Sequence, residues 1–146
     1  MSKSFYSLGL MSGTSMDGVD ASIIQSDGES KYKVISNKYF KYKENLYGEL
    51  ASLRDKINTS KDLKTLSNDL KSLEKEITIF HAEAVDKIIK ESNVEIHFVG
   101  FHGQTIFHNP DEKISTQLGD GKLLSKLIKK TVVYNFRQND INNGGQ

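Results

Sequence analysis

The chain has 146 residues, enough for one domain of usual size, and with 36% hydrophobic and 27% charged residues it carries no signature of disorder. Lys plus Arg is 20 against 19 Asp plus Glu, a balance that argues against nucleic acid as the main partner. The lack of cysteine excludes a disulfide framework and a thiolate metal site. No signal peptide or long apolar span is visible, so a cytoplasmic protein without a membrane partner is expected.

The amino end, Met-Ser-Lys-Ser, runs straight into a predicted strand at Phe5–Met11, and a second follows at Val19–Ser26. Between them lie Ser12, Gly13, Thr14, Ser15, Asp17 and Gly18. Strands flanking small and hydroxyl-bearing residues predict a β-hairpin with an unusual tip. Glycines there allow φ > 0 and close approach of a ligand to the main chain. The hydroxyls and turn N–H groups suit an anion cradle. Asp17 and Asp20 would repel a bare phosphate, yet they can hold a magnesium-bound one through water. A Walker loop is excluded, because the tip has no Lys and Ala21-Ser22-Ile23-Ile24 continues as strand rather than helix. A dinucleotide fingerprint fails on the same strand–loop–helix requirement. An ordinary hairpin with Asp-Gly at its turn remains the competing reading.

After a turn at Ser26-Asp27-Gly28-Glu29, Tyr32–Tyr42 predicts a third strand and closes an antiparallel meander. Leu46, Leu50, Leu53 and Ile57 then carry helical spacing until Asn58-Thr59-Ser60 breaks it. Thr59 or Ser60 is the expected N-cap, with Asp62 in the first turn. Leu63, Leu66, Leu70, Leu73, Ile77, Phe80, Ala84 and Ile88 predict one long amphipathic helix. Its stripe fits packing on the sheet, or the seam of a homodimer. His81 on this helix and His97 in the next strand are expected to be structural.

Glu95–Phe101 predicts a strand parallel to the first, reached by a crossover. His102-Gly103-Gln104-Thr105 is placed just past its carboxyl end, where open α/β sheets hold ligands. His102 there is a candidate functional residue, with a loop hydrogen bond as the alternative. His108 has no carboxylate cluster at a spacing that would make a metal site with His102. Ser115–Leu118 is a possible short strand. Asp120 is the expected N-cap of a helix at Lys122–Lys130, Thr131–Phe136 is the last predicted strand, and a polar tail follows from Arg137. Arg137 fits either a substrate contact or an ion pair with Asp140. The order β-β-β-α-β-α-β is an α/β, ribonuclease-H-like layout with a mixed sheet and helices on its faces.

Gly-Leu-Met-Ser-Gly-Thr-Ser-Met-Asp-Gly-Val-Asp (residues 9–20) closely resembles the signature of anhydro-N-acetylmuramic acid kinases, of the hexokinase–Hsp70–actin group. His-Gly-Gln-Thr (102–105), Gln-Leu-Gly-Asp (117–120), Phe-Arg-Gln-Asn-Asp (136–140) and Gly-Gly-Gln (144–146) follow in the family's order. The resemblance implies ATP and Mg²⁺ as cofactors and 1,6-anhydro-N-acetylmuramic acid as substrate. The implied reaction opens the 1,6-anhydro bond hydrolytically and phosphorylates O6, in cell-wall recycling. It assigns Gly13, Thr14, Ser15, Met16, Asp17, Gly18, Val19 and Asp20 to the ATP phosphates. It assigns His102, Gln104 and Thr105 to the sugar side, with Arg137 and Asp140 nearby. Arg137 would pair in bidentate fashion with a carboxylate or phosphate. Two departures stand out: Phe101 replaces a usually small residue, and Asn135 an often acidic one. The resemblance covers the amino-terminal part of the family's length. A second domain carrying the general-base Asp is expected beyond Gly-Gly-Gln, supplied in the same chain or by another. One wall of a cleft should not catalyse phosphoryl transfer alone.

Overall fold

The structure is a computed structural model that describes residues 3–145. Met1, Ser2 and the final residue of the Gly-Gly-Gln motif, Gln146, lie outside the described residues. The elements run β1 (Phe5–Ser12), β2 (Gly18–Ser26), β3 (Tyr32–Lys41), α1 (Glu44–Lys56), α2 (Ser60–Thr65), α3 (Ser67–Ser92), β4 (Phe98–Asn109), β5 (Ile114–Leu118), α4 (Gly121–Ile128), β6 (Thr131–Tyr134) and α5 (Arg137–Asn142). β1, β2 and β3 form the expected antiparallel meander. β4 lies parallel to β1 on the other side, and β6 pairs parallel to the first half of β4. β5 pairs antiparallel to its second half. The order β3-β2-β1-β4-β5, with β6 beside β4, makes a six-stranded mixed sheet of ribonuclease-H-like type.

The core forms between the sheet and the helices of the crossover. Leu8 and Leu10 of β1, Ile23 of β2 and Val99 and Phe101 of β4 are buried, as are Leu50 of α1 and Leu73, Ile77 and Ile88 of α3. The His81 ring of α3 lies 4.9 Å from the Phe101 ring, edge to face, which fixes the helix over the strand. A Lys38–Glu91 ion pair ties β3 to the end of α3. The stripe packs largely within the chain: Leu70, Leu73, Ile77, Ala84 and Ile88 are buried and Leu63, Leu66 and Phe80 half-buried against the same core.

Three expectations need correction. The long helix is two helices. A capping box at Thr59 and Asp62 starts the short α2 as expected, but the chain breaks at Leu66 (φ −97°, ψ 16°), so Leu63 and α3 belong to different elements. The apolar spacing continues through the break because both pieces pack on the same core. Next, the tail after Phe136 is partly helical, as α5. Finally, His-Gly-Gln-Thr is not a loop beyond a strand end: it lies inside the 12-residue β4.

The strand survives its polar stretch through a β-bulge. Leu10 pairs with Phe101, yet Ser12 pairs with Gln104, so β4 carries one extra residue there. Gly103 sits at φ +83° within it, a conformation that glycine enters without steric cost. Before the bulge Val99 and Phe101 face the core; after it Gln104 and Ile106 do. A bulge shifts the alternation by one residue and re-aims a side chain, and here it turns Gln104 inward. A Cβ on Gly103 would come within 2.7 Å of the Leu118 carbonyl. Gly103→Ala is expected to cost roughly 2 to 5 kcal/mol, from the left-handed backbone and the overlap together. Gly9→Ala, where a Cβ meets nothing within 4 Å, is the control and should cost nothing. Urea unfolding of both variants checks this, and equal stabilities would refute the bulge argument.

Candidate functional site

The hairpin tip is built by anchoring one residue and exposing its neighbours. Met16 is 1% exposed, at φ 56°. Its side chain plugs the tip into the core, and its N–H donates to the Gly13 carbonyl at 3.2 Å. The left-handed residue of the turn is thus Met16 and not a glycine, against expectation: Gly13 and Gly18 are not among the positive-φ residues. Gly18 serves another purpose. A Cβ there would lie 2.4 Å from the Phe40 carbonyl and 2.6 Å from the Tyr39 hydroxyl, so β3 closes directly over it. The Asp17 carbonyl accepts from the Tyr42 N–H at 2.8 Å and fastens the tip to the end of β3.

Around this anchor Thr14, Ser15, Asp17 and Asp20 are exposed and Gly13 is half-buried. A Cβ built on Gly13 meets nothing within 4 Å. The N–H groups of Thr14 and Ser15 make no hydrogen bond among the described residues. Ser15 Oγ donates to Asp17 Oδ1 at 2.8 Å. That bond, with the Tyr39 hydroxyl and the Lys41 ammonium adding to it, holds the Asp17 carboxyl below the usual range and so ionised. A cavity of about 320 Å³, lined by Ser15, Asp17, Lys41, Tyr42, Glu44 and Tyr47, opens beside the tip. Within residues 13–20, Gly13–Ser15, Asp17 and Asp20 are therefore accessible to a ligand. The side chains of Met16 and Val19, both buried, are not, and neither is Gly18.

Beneath the tip lies a buried polar network that spacing did not reveal. Ser12, His81 and Gln104 are each 0% exposed and Tyr42 is 3% exposed. Ser12 Oγ is 3.0 Å from His81 Nε2, and His81 Nδ1 is 2.7 Å from the Ile77 carbonyl. The Tyr42 hydroxyl lies 3.0 Å from Gln104 Oε1 and 3.2 Å from Ser12 Oγ. Gln104 Nε2 donates to the carbonyls of Gly13 at 2.7 Å and Thr105 at 3.0 Å. The structure thus brings the tip and the His-Gly-Gln-Thr motif together, but Gln104 faces the tip from below rather than a ligand from above.

His102 and Thr105 are half-buried on β4. His102 lines a second cavity of about 300 Å³ with Phe101, Gln117, Gly119, Tyr134, Asn135 and Phe136 among its walls. Thr105 Oγ1 accepts from Gln117 Nε2 at 3.3 Å. Arg137 and Asp140 lie on α5, which rests against β5 and the turn before it: Gln138 Nε2 donates to the Lys113 carbonyl at 3.3 Å. Asn135 and Phe136, rather than Arg137 and Asp140, reach the His102 cavity. His97 is structural, its Nδ1 accepting from the Tyr6 N–H at 3.0 Å. His108 Nδ1 engages Ser115 Oγ at 3.1 Å. Six positions along a strand separate it from His102 by about 20 Å, too far for one metal ion. Asp120 caps α4 through the Leu123 N–H at 3.0 Å. A roomier cavity of about 650 Å³ between α1 and α3, walled by Glu49, Lys56, Asp69 and Glu76, collects none of these residues.

Sheet order, crossover and an open hairpin tip beside β4 define a ribonuclease-H-like domain with a solvent-exposed first turn. Residues 5–146 match the family model described as anhydro-N-acetylmuramic acid kinase. The chain belongs to that family. It is 63% identical over 146 residues to the anhydro-N-acetylmuramic acid kinase of Pelagibacter ubique (strain HTCC1062), covering all of this chain and 39% of that protein. It is 38% identical over 142 residues to the enzyme of that name from Agrobacterium fabrum (strain C58 / ATCC 33970), and 36% identical to that of Brucella canis (strain ATCC 23365 / NCTC 10854 / RM-666). In both cases the match covers 95% of this chain and 38% of the relative. The chain thus spans about two-fifths of the length of these relatives.

Burial makes the network sensitive to acid. Loss of water around His81 draws its pKa from 6.5 down to about 4; the bond to the Ile77 carbonyl opposes this and the positive charge available to His102 adds to it. The unfolded chain takes up this proton near 6.5 and the folded one only near 4. Stability is therefore full above pH 6.5 and falls as pH drops toward 4, by at most about 3 kcal/mol. Asp17, Asp27 and Asp62, whose carboxyls are held low by hydrogen bonds, act in a lower window, below about 3.8. His81→Asn should flatten the dependence of the urea midpoint between pH 7 and 4.5. An unchanged slope would count against His81 as its source.

Proposed function

We propose that this chain forms the nucleotide-phosphate and sugar-facing wall of an anhydro-N-acetylmuramic acid kinase. The reaction is ATP-dependent hydrolytic opening of the 1,6-anhydro ring with phosphorylation at O6, giving N-acetylmuramic acid 6-phosphate. The observation that carries this reading is the tip itself: an unobstructed Gly13 and two unengaged N–H groups at Thr14 and Ser15, on a hairpin anchored from below. These groups suit phosphate oxygens, since converging main-chain N–H groups make an anion-binding concavity. Asp17 and Asp20 would hold a hydrated Mg²⁺ through its waters, because Mg²⁺ gives up its water shell reluctantly. Bound Mg·ATP supplies the transferable phosphoryl group and neutralises its charge. His102 and Thr105 would face the sugar, with Arg137 and Asp140 at the margin of that side. Gln104 belongs to the support of the tip.

The general base is assigned to a second domain, in the same polypeptide or a separate one. The span of about two-fifths of the relatives supports that division. So do the exposed Val133, Tyr134 and Phe136, beside the His102 cavity, where a facing domain would close. On this reading the isolated chain is inactive. The absence, among the described residues, of a helix long and apolar enough to cross a membrane is compatible with work in the cytoplasm.

The test mixes this chain with a carboxyl-terminal polypeptide of the family, Mg·ATP and the anhydro sugar, and follows phosphate transfer to O6. Turnover is expected in the mixture and in neither part alone. Gly13→Val, which fills the open side of the tip, should weaken Mg·ATP binding about tenfold, or 1.4 kcal/mol. A mixture without turnover, together with a wild-type chain indifferent to Mg·ATP, would overturn the assignment in favour of a non-catalytic module that binds a ligand or oligomerises.

A further inference from the structure

The buried network beneath the hairpin tip joins the side chains of Ser12, Tyr42, His81 and Gln104, of which only Tyr42 borders the cavity beside the tip. Its members come from β1, the residue after β3, α3 and β4, and its longest-range bond, from Gln104 to Gly13, spans 91 positions. Burying four polar side chains together is costly unless each is satisfied. Among the described residues no buried side-chain nitrogen or oxygen lacks a partner.

The protons can be placed by elimination. A carbonyl only accepts, so the Nδ1 of His81 carries the hydrogen that meets the Ile77 oxygen at 2.7 Å. The neutral ring then has an acceptor at Nε2, and the Ser12 hydroxyl donates to it at 3.0 Å. Having given up its hydrogen, Ser12 Oγ can only accept. The Tyr42 hydroxyl is the donor within reach, and its one hydrogen is shared between Gln104 Oε1 and Ser12 Oγ. With its carbonyl occupied, Gln104 has one amide orientation, so both its hydrogens point at the carbonyls of Gly13 and Thr105. Every proton is thereby assigned a donor, with only the Tyr42 hydrogen divided between two acceptors. Reversing the amide of Gln104 would set oxygen against two carbonyls.

We propose that this network is a positioning device for the tip. The Gly13 carbonyl accepts from both the Met16 N–H and the Gln104 amide. The second bond adds to the turn's own and fixes the rotation of the Gly13–Thr14 peptide, which sets the direction of the Thr14 N–H and, through the next residue, that of Ser15. Ser12, Tyr42 and His81 fix the Gln104 amide. All four are positioning residues. Val19, equally buried on the following strand, makes no such polar link and serves packing alone. The consequence for nucleotide binding rests on the function proposed above; the positioning itself does not.

Tyr42→Phe tests this with the smallest change, since it removes the hydroxyl and keeps the ring that packs at 4.9 Å on Phe80. The 146-residue chain is compared with the variant by amide nuclear magnetic resonance and by Mg·ATP titration. The Thr14 and Ser15 amide signals are expected to move and broaden, while amides of the β2–β3 ladder stay in place. Mg·ATP binding is expected to weaken about fivefold to tenfold. Gln104→Met, which removes the bond to Gly13 directly, should reproduce the tip signature. If both variants lose thermal stability and leave the Thr14 and Ser15 signals where they were, the network is packing only and the proposal is overturned. If the wild-type chain ignores Mg·ATP but the variants displace the tip amides, positioning stands and the nucleotide assignment falls. If Mg·ATP binds wild type and Tyr42→Phe equally and the amides do not move, positioning falls and the nucleotide assignment stands.

Discussion

The hydrogen bond from the Gln104 amide to the Gly13 carbonyl joins two parts of the sheet: the end of β1 and the bulge of β4. It exists because the bulge at Gly103 spends one residue without advancing the pairing, so that a glutamine due on the outer face arrives on the inner one. Without that shift Gln104 would face away from the Tyr42 hydroxyl and Ser12, and the Gly13 carbonyl, just past the end of β1, would keep only the turn bond from the Met16 N–H. The tip could then adopt several of the conformations open to a glycine-containing turn. A neutral–neutral hydrogen bond contributes only about 1 kcal/mol net. What matters here is uniqueness: each partner has one satisfied arrangement, and leaving any of them buried and unpaired costs more than the bond yields.

That relation was invisible in the linear order. Alternating apolar residues made β1, β2 and β3 legible almost to the residue, and Thr59 with Asp62 and Asp120 announced the caps of α2 and α4 through their local chemistry. Histidine, glycine, glutamine and threonine after Phe101 instead read as a strand ending in polar loop. Composition cannot tell an exposed polar residue from a buried one whose partner lies 62 or 91 positions away. The one local hint was the glycine, since an isolated glycine within a strand pattern marks a bulge. Met16 misled for a similar reason. Glycines flanked it, and they drew the expectation of positive φ to themselves. The core claimed the methionine side chain, and that burial holds a bulky residue in the left-handed region.

Phe101 and Asn135, at which the sequence resemblance implies other residues, each have a physical place in the structure. Phe101 is 2% exposed, with its ring against His81 and over Gly119, where a Cβ would come within 2.5 Å of it. A large residue at 101 is thus matched by the absence of any side chain at 119 and completes the wall that seals His81 from water. Asn135 sits at φ 66° where the chain leaves β6 for α5. Asparagine enters the left-handed region more readily than most residues. Both residues also line the His102 cavity and so shape that side of the wall.

On the proposed reading, charge decides what kind of anion the tip would accept. Asp17 and Asp20 follow the tip and are exposed, and the nearby Lys41 offsets the charge of Asp17. At about 6 Å each carboxylate opposes a phosphate charge by roughly 0.7 kcal/mol in water and about 3 kcal/mol at an effective dielectric of 20. Amide dipoles on an open surface do not outweigh that, so a bare phosphate is the wrong guest. A divalent cation reverses the sign of both carboxylates' contribution and leaves the amides to orient the oxygens. The same arithmetic explains why an open tip is weak alone. Until a second wall removes water, the local dielectric stays high and each interaction small. On the proposed reading the domain's own task is geometric: it holds the accepting groups still, and closure supplies their strength.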